Sequence, residues 1–138
     1  MAEFKEITSY IPQREPIVMV SKLIKASETE AITKLFIDEN NIFCANGFFD
    51  ESGIIENIAQ TAAALTGYNA ILKNQAVKKG FIGSIDNLKI YNLPKCNKEI
   101  ETIVNVENIV IDVHIIKGIV KIGTSIIAEC NMKIFLEK

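Results

Sequence analysis

Arginine and histidine are scarce in this chain of 138 residues, and their scarcity excludes whole classes of function. There is one arginine, Arg14, and one histidine, His114, and the formal net charge is −2 with no dense basic segment. Arginine is the residue most often used to grip phosphates and base edges. A nucleic-acid-binding protein would need a concentrated basic face, so we expect no nucleic-acid partner.

The three cysteines do not have the spacing of a metal site or of a set of disulfides. Cys44, Cys96 and Cys130 are odd in number and far apart, and no Cys-x-x-Cys pair occurs. The sequence therefore predicts neither a zinc site nor a disulfide framework, and we expect no metal and no other cofactor. Unpaired cysteines favour a reducing compartment, which is the cytoplasm.

Long apolar runs are also missing. The first residues, MAEFKEITSYIPQ, contain no apolar signal core, and no run approaches the roughly 20 apolar residues that span a membrane. We therefore expect a cytoplasmic protein with no membrane contact. Hydrophobic residues nevertheless make up 49% of the chain. That fraction fits a single domain over 1–138, with some apolar surface buried between subunits.

The pattern of apolar residues predicts an α+β domain. After a short helical turn within 4–10, the chain is expected to form two strands, a loop, one long helix that begins near Ser52, and four further strands. The simplest packing wraps a curved antiparallel sheet of about six strands around the helix. The predicted strands are 17–26, 31–37, 80–92, 100–111, 113–122 and 125–136, and the loop is 38–52.

The helix carries one carboxylate within an apolar stretch. Residues 53–65 are GIIENIAQTAAAL, and no lysine, arginine or aspartate lies between 52 and 72. A helix that is apolar on nearly every side is surrounded by other structure. Glu56 is then either a solvent-reaching residue or a carboxylate facing a binding tunnel. Gln60 lies four residues later on the same face, as an orienting amide or as a partner for an unpaired backbone group.

Three blocks, in order, resemble a known family. They are IPQREPIVMVSKLI, GIIENIAQTAAAL and FIGSIDNLKIYNLPKCNKEIE, and they span about residues 7–136. Together they resemble the β-hydroxyacyl-acyl carrier protein dehydratases of the hot-dog superfamily. The chain is most similar to an atypical branch associated with aryl-polyene and flexirubin pigment clusters.

The resemblance implies a lyase that removes water from a 3-hydroxyacyl thioester in fatty-acid or polyketide-type biosynthesis. The substrate would be bound to acyl carrier protein or coenzyme A, with Glu56 as the base. An apolar setting disfavours the charged carboxylate and makes it a stronger base. The fold implied is the hot-dog fold, in a homodimer or a larger homo-oligomer. Lys78, Lys79 and Lys89 would face an acidic carrier or form an ordinary solvated face.

The loop before the helix departs from the family pattern. Typical members carry a histidine there, but NIFCANGFFDESG has none, and Gln13 replaces the histidine of the opening block. Cys44 and Asn46 are the supporting candidates, against the simpler interpretations of a packed thiol and a turn residue. Four further residues are assigned to substrate binding, and Gly53 would either offer a free backbone N–H at the helix start or simply meet the turn geometry there. They are Gly53, Phe48, Phe49 and Gly83.

Two residues are given structural interpretations, and two other functions stay open. Arg14 is expected to anchor its loop, and His114 to be a sheet residue without a chemical role.

The first alternative is a hot-dog acyl thioesterase, which needs a helix carboxylate but no histidine. The second is a non-catalytic acyl-binding subunit of a heterodimeric dehydratase, motivated by the missing loop histidine.

Overall fold

A computed structural model describes residues 3–138 as eight strands, one long helix and a short 3-10 turn. The order along the chain is two strands, a small hairpin, the helix, and four long strands. The bounds are a 3-10 turn at Ile7–Ser9, β1 Lys22–Ala26, β2 Glu30–Phe36, β3 Cys44–Ala45, β4 Phe48–Phe49, α1 Glu51–Leu72, β5 Gly80–Ile90, β6 Glu99–Val110, β7 Val113–Ile122 and β8 Ser125–Leu136.

Six of the strands form one antiparallel sheet in the order β1-β2-β6-β7-β8-β5, and β3 pairs with β4 in a separate hairpin. The helix α1 lies against the sheet, and its side chains enter both apolar clusters of the core. Its approach is close because Gly118 has no side chain: a Cβ there would collide with the side chain of Ile58. The result is the expected hot-dog fold, a sheet wrapped around one central helix.

The predicted order of elements is confirmed, with three local differences. Residues 17–21 precede β1 and are not part of it, and the segment 38–52 contains the β3–β4 hairpin. The helix begins at Glu51 with Asp50 as its N-cap, not Ser52, because the Asp50 side chain accepts a hydrogen bond of 2.9 Å from the Gly53 N–H. Asp50 is as good a cap by type as Ser52, so composition alone did not separate them.

The structure contradicts the expectation that the cysteines are unpaired. Cys44 and Cys96 form a disulfide with their Cα atoms 6.6 Å apart, 52 residues apart in sequence. Their segments are joined by backbone bonds from the Phe49 N–H to Pro94 (2.8 Å) and from the Cys96 N–H to Gly47 (2.9 Å). Spacing along the chain does not reveal this contact, since it depends on two loops meeting. Cys130 is buried, and burial raises the pKa of its thiol to about 11.

The strand β5 forms one edge of the sheet and carries many exposed apolar side chains. Its N–H and C=O groups on the outer side have no strand partner within residues 3–138. The exposed apolar residues of this strand and its end are Phe81, Ile82, Ile85, Leu88 and Tyr91. No helix in residues 3–138 is both long and apolar enough to cross a membrane.

Candidate active site

A cavity of about 250 Å³ lies between α1 and the sheet, and Glu56 is in its wall. One wall is the helix, where the residues facing the cavity are small. The other walls come from β5–β8 and from the loop before β1. The lining residues are Gln13, Glu56, Ala59, Ala62, Ala63, Thr66, Lys78, Gly80, Phe81, Ile82, Val106, His114, Ile116, Ile134 and Leu136.

Glu56 is half-buried, and Gln60 orients its carboxylate. The Gln60 Nε2 donates to Glu56 Oε1 at 2.8 Å and to the carbonyl of Ile17 at 2.8 Å. The Gln60 Oε1 accepts from the Met19 N–H at 2.6 Å. The amide is thus fully buried and satisfied on both sides, which fixes one oxygen of the carboxylate. Both sequence interpretations of Gln60 apply, because the same amide closes backbone groups and orients Glu56.

A second buried amide anchors the same turn of α1. Asn57 Nδ2 donates to the Met19 carbonyl at 2.8 Å, and Asn57 Oδ1 accepts from Thr102 Oγ1 at 2.5 Å. The Thr61 hydroxyl donates to the Asn57 carbonyl and contacts Thr33 Oγ1, each at 2.8 Å. These buried bonds fix the rotation of the helix relative to the sheet. The hydrogen bonds of its neighbours therefore fix the direction in which the Glu56 side chain leaves the helix.

His114 lines the same cavity as Glu56. Gly118 of β7 packs against Ile58, and His114 lies four residues earlier on the same face, about 13 Å along the strand. His114 also lines a second cavity, together with Thr66 and Asn69 on the later turns of α1. Burial lowers the pKa of His114, and the nearby Asp112 opposes that shift only in part. Within residues 3–138 no hydrogen bond joins His114 to Glu56, whose carboxylate is bonded to Gln60.

Sequence reasoning missed His114 and Gln13 as cavity residues. A signal for the first existed, since His114 shares the alternation of Ile116, Gly118 and Val120, all of which are buried on the inner face of β7. For Gln13 the signal was its place in the opening block, where the resembling family has a histidine; its loop has no periodicity to show where the side chain lies.

The residues around the helix start do not reach the cavity. Asn46 and Gly47 form the β3–β4 turn with φ of 55° and 83°, which supports the turn interpretation of Asn46. Cys44 is bonded to Cys96, so it does not supply a free thiol as a supporting group. Phe49 is fully buried in the core, whereas Phe48 is exposed and bridges Lys95.

The two glycines assigned to substrate binding have packing explanations. A Cβ on Gly53 would lie 2.5 Å from two ring carbons of Phe49, and its N–H is already used by the Asp50 cap. The expectation of a free Gly53 N–H is therefore wrong. Gly83 lies on the edge strand β5 beneath the ring of Phe135 and does not line the cavity with Glu56.

The chemistry available at the Glu56 end is that of a single oriented base. Its carboxylate faces a wall of small and aliphatic side chains, which suits removal of a proton from a substrate carbon. Groups of histidine, cysteine, aspartate and glutamate arranged to bind a metal ion do not occur in residues 3–138. A dehydration also needs an acid for the leaving group, and the lining side chains besides Glu56 that can carry a titrating proton are Lys78 and His114.

Comparison with known families identifies the chain. Residues 5–138 match the sequence profile of the ApeP-like family, described as ApeP dehydratase. The chain belongs to the ApeP-like dehydratase family. This agrees with the dehydratase resemblance seen in the sequence blocks. No curated protein matches the chain by sequence.

Solved structures share the fold of this ApeP-like chain at low identity. The dehydratase heterocomplex ApeI:P from Xenorhabdus doucetiae matches with a TM-score of 0.86 at 12% identity, covering 99% of this chain and 93% of that one. Cj0977, a virulence protein from Campylobacter jejuni, matches with a TM-score of 0.72 at 10% identity, and the match covers 96% of each chain. A hypothetical thioesterase with coenzyme A from Streptococcus pneumoniae matches with a TM-score of 0.68 at 6% identity, and the match covers 84% of each chain.

Proposed function

We propose that the protein is a dehydratase that converts a 3-hydroxyacyl thioester into the 2-enoyl thioester and water. One observation carries the proposal: an oriented carboxylate, Glu56, faces a cavity walled by small and aliphatic residues. Membership of the ApeP-like dehydratase family supports the same reaction. We assign Glu56 the removal of the proton from C2, after which the hydroxyl on C3 leaves with a second proton as water.

The acyl chain would occupy the cavity along α1. From Glu56 to Thr66 the helix advances about 15 Å, and three of the residues lining this stretch are alanines. Small side chains leave room for an extended chain, and the aliphatic residues of the sheet give it an apolar wall. Lys78, at the far end, is exposed and offers a positive charge to an acyl carrier protein or a coenzyme A phosphate.

The proposed assembly is a dimer through β5. An edge strand of eleven residues with exposed apolar side chains is a site for pairing with another chain. We favour a second copy of this chain as the partner.

A second function is favoured by the position of His114. Because His114 is not hydrogen-bonded to Glu56 and also lines a second cavity beside Thr66 and Asn69, we take the acid for the leaving hydroxyl to come from outside this chain. The chain would then act as one subunit of a two-chain dehydratase whose partner supplies the acid. The dehydratase similar in fold is itself described as a heterocomplex, which makes a different partner chain the natural alternative to a second copy.

The deciding experiment offers the purified chain a 3-hydroxyacyl thioester, bound first to acyl carrier protein and then to coenzyme A. Enoyl absorbance and free thiol are followed together, with and without a histidine-bearing dehydratase subunit. Enoyl product from this chain alone supports the dehydratase. Thiol release indicates the thioesterase, and product only in the mixture indicates the two-chain enzyme.

Glu56→Gln tests the base in whichever assay gives turnover. We expect a loss of about 100-fold or more in kcat with the fold retained, because the amide cannot accept the C2 proton. Glu51→Gln is the matched control, since Glu51 is an exposed carboxylate on the first turn of the same helix. Equal turnover in Glu56→Gln and wild type would remove Glu56 from the mechanism.

A further inference from the structure

A second cavity, of about 430 Å³, follows the cavity that contains Glu56 along the helix α1. On the helix, Ala63 lines only the first cavity, Asn69 lines only the second, and Thr66 between them lines both. The two cavities are therefore neighbours, and Thr66 lies at the boundary between them.

The sheet shows the same order of residues. On β7, Ile116 lines only the first cavity, and His114, the next residue on the same face of the strand, lines both. On β6, Val106 lines both cavities and Ile109 lines only the second. On β8, Leu136 lines both. The boundary that Thr66 marks on the helix thus continues across three strands, which are adjacent in the sheet.

The residues that line both cavities form a ring, which we call the collar. One member comes from α1, one from each of the strands β6, β7 and β8, and one from the loop before β5. An acyl chain that extended along α1 from Glu56 into the second cavity would pass between these residues. The collar consists of Thr66, Lys78, Val106, His114 and Leu136.

His114 carries the one aromatic ring of the collar, and no hydrogen bond within residues 3–138 holds that ring. Burial lowers the pKa of His114 below its usual value, so the ring is neutral at pH 7.5 and can lie against an apolar chain without burying a charge. Val106, by contrast, packs against both apolar clusters of the core. The half-buried His114 is therefore the collar residue whose size can be changed with little effect on the core.

We propose that His114 sets the length of the acyl chain that the protein binds, because its imidazole closes the first cavity toward the second. This inference rests on the proposed function and adds a specificity residue to it. An acyl chain extended from Glu56 would meet the imidazole beside Thr66, and a longer chain would have to displace it. Removing the ring would join the two cavities and admit longer chains.

The test measures binding and needs no turnover. Saturated acyl-pantetheines from butyryl to myristoyl are titrated into the purified chain at pH 7.5 in a calorimeter. For the unmodified chain, each added methylene should tighten binding about fourfold until the acyl chain reaches His114, and further methylenes should then add nothing. In His114→Ala the gain should continue, so that a chain two methylenes beyond this limit binds about 15-fold more tightly than it does to the unmodified chain.

Two further variants separate the size of the side chain from its polarity. His114→Phe keeps a ring without the nitrogen atoms, and it should leave the limiting length unchanged. Ala63→Leu places a larger side chain in the first cavity, before the collar, and it should shorten the longest chain that is bound. A cooperative thermal unfolding transition checks that each variant is folded.

Two results would overturn the proposal and leave the proposed function standing. One is a limiting length that is the same in His114→Ala as in the unmodified chain, with binding intact. The other is a limit that His114→Phe moves as far as His114→Ala does, since the size of the ring would then not be the cause. If no acyl-pantetheine binds at any length, the function on acyl thioesters fails, and the role of His114 fails with it.

Discussion

The two ends of the cavity differ in how their polar residues are held. At the near end, Glu56 is flanked by Asn57 and Gln60, whose amides bond to segment 17–19 and to Thr102. At the far end, Thr66 Oγ1 makes one bond of 3.2 Å within its own helix, and Lys78 is exposed. The near end is preorganised by hydrogen bonds between the helix and other elements, whereas the far end is defined mainly by the shape of its walls.

In the proposed reaction the two ends have different roles: the near end carries out the chemical step, and the far end holds the acyl chain. The chemical step requires a carboxylate fixed to within fractions of an ångström, and a buried network supplies that rigidity. The far end needs only to accommodate an acyl chain, for which packing against apolar walls is sufficient. Perturbations of the near end should therefore cost far more stability than perturbations of the far end.

The largest expected effect comes from cutting the near-end network with Asn57→Ala. The substitution leaves Thr102 Oγ1 and the Met19 carbonyl without their buried partner. We expect the free energy of unfolding in urea to fall by about 2–4 kcal/mol. Thr66→Ala at the far end is the comparison, and it should cost less than about 1 kcal/mol. Equal losses in the two variants would contradict the contrast between the ends.

A loss of similar size is expected from reducing the Cys44–Cys96 disulfide, which joins the loops beside the start of α1. A cross-link between residues 52 apart in sequence restricts the unfolded chain, and its loss should lower the free energy of unfolding by about 2–4 kcal/mol.

Counting alkylated thiols after denaturation checks the disulfide directly. The oxidised chain should take up one label, at Cys130, and the reduced chain three. Cys96→Ser should lose the dependence of stability on reductant, while Cys130→Ala should keep it. Three labels on a fully oxidised chain would show that the bond does not form.

The smallest expected effect is at the far end, in His114→Gln. Burial lowers the pKa of His114, so the unfolded chain binds the proton more readily than the folded chain. Stability is therefore complete above the unfolded pKa of about 6.5 and declines as the pH falls below it.

Relative to His114→Gln, the wild-type protein should lose about 1–3 °C more in Tm between pH 7.5 and 5.5. Thermal scans at a series of pH values measure this difference. Parallel curves for the two proteins would mean that His114 does not contribute to the acid sensitivity.

The fold was largely predictable because its signals are local. Alternating strands such as β6 and the apolar stretch that contains Glu56 carry their own periodicity, and their order leaves one simple packing. The N-cap was misplaced because Asp50 and Ser52 are both good caps, and only the hydrogen bond to Gly53 separates them.

The site was predictable only where it lies on the helix. Glu56 and Gln60 are four residues apart, so their proximity follows from helical geometry. The pairing of Cys44 with Cys96 and the exposure of Gln13 to the cavity depend on loops that meet through the fold. Contacts of this kind leave no periodic trace, and the substrate-binding assignments to Phe48 and Gly83 stay predictions that the cavity lining does not support.

The exposed edge of β5 has a practical consequence for anyone who makes this protein. Its apolar side chains, and the backbone groups that have no strand partner in residues 3–138, form a template on which other chains can add as strands. If the partner is instead a different chain, the protein made alone would aggregate as its concentration rises, and co-expression with that chain would raise the soluble yield. A second copy as the partner predicts a soluble homodimer from this chain alone. The solubility of the chain thus becomes a simple screen for what it binds.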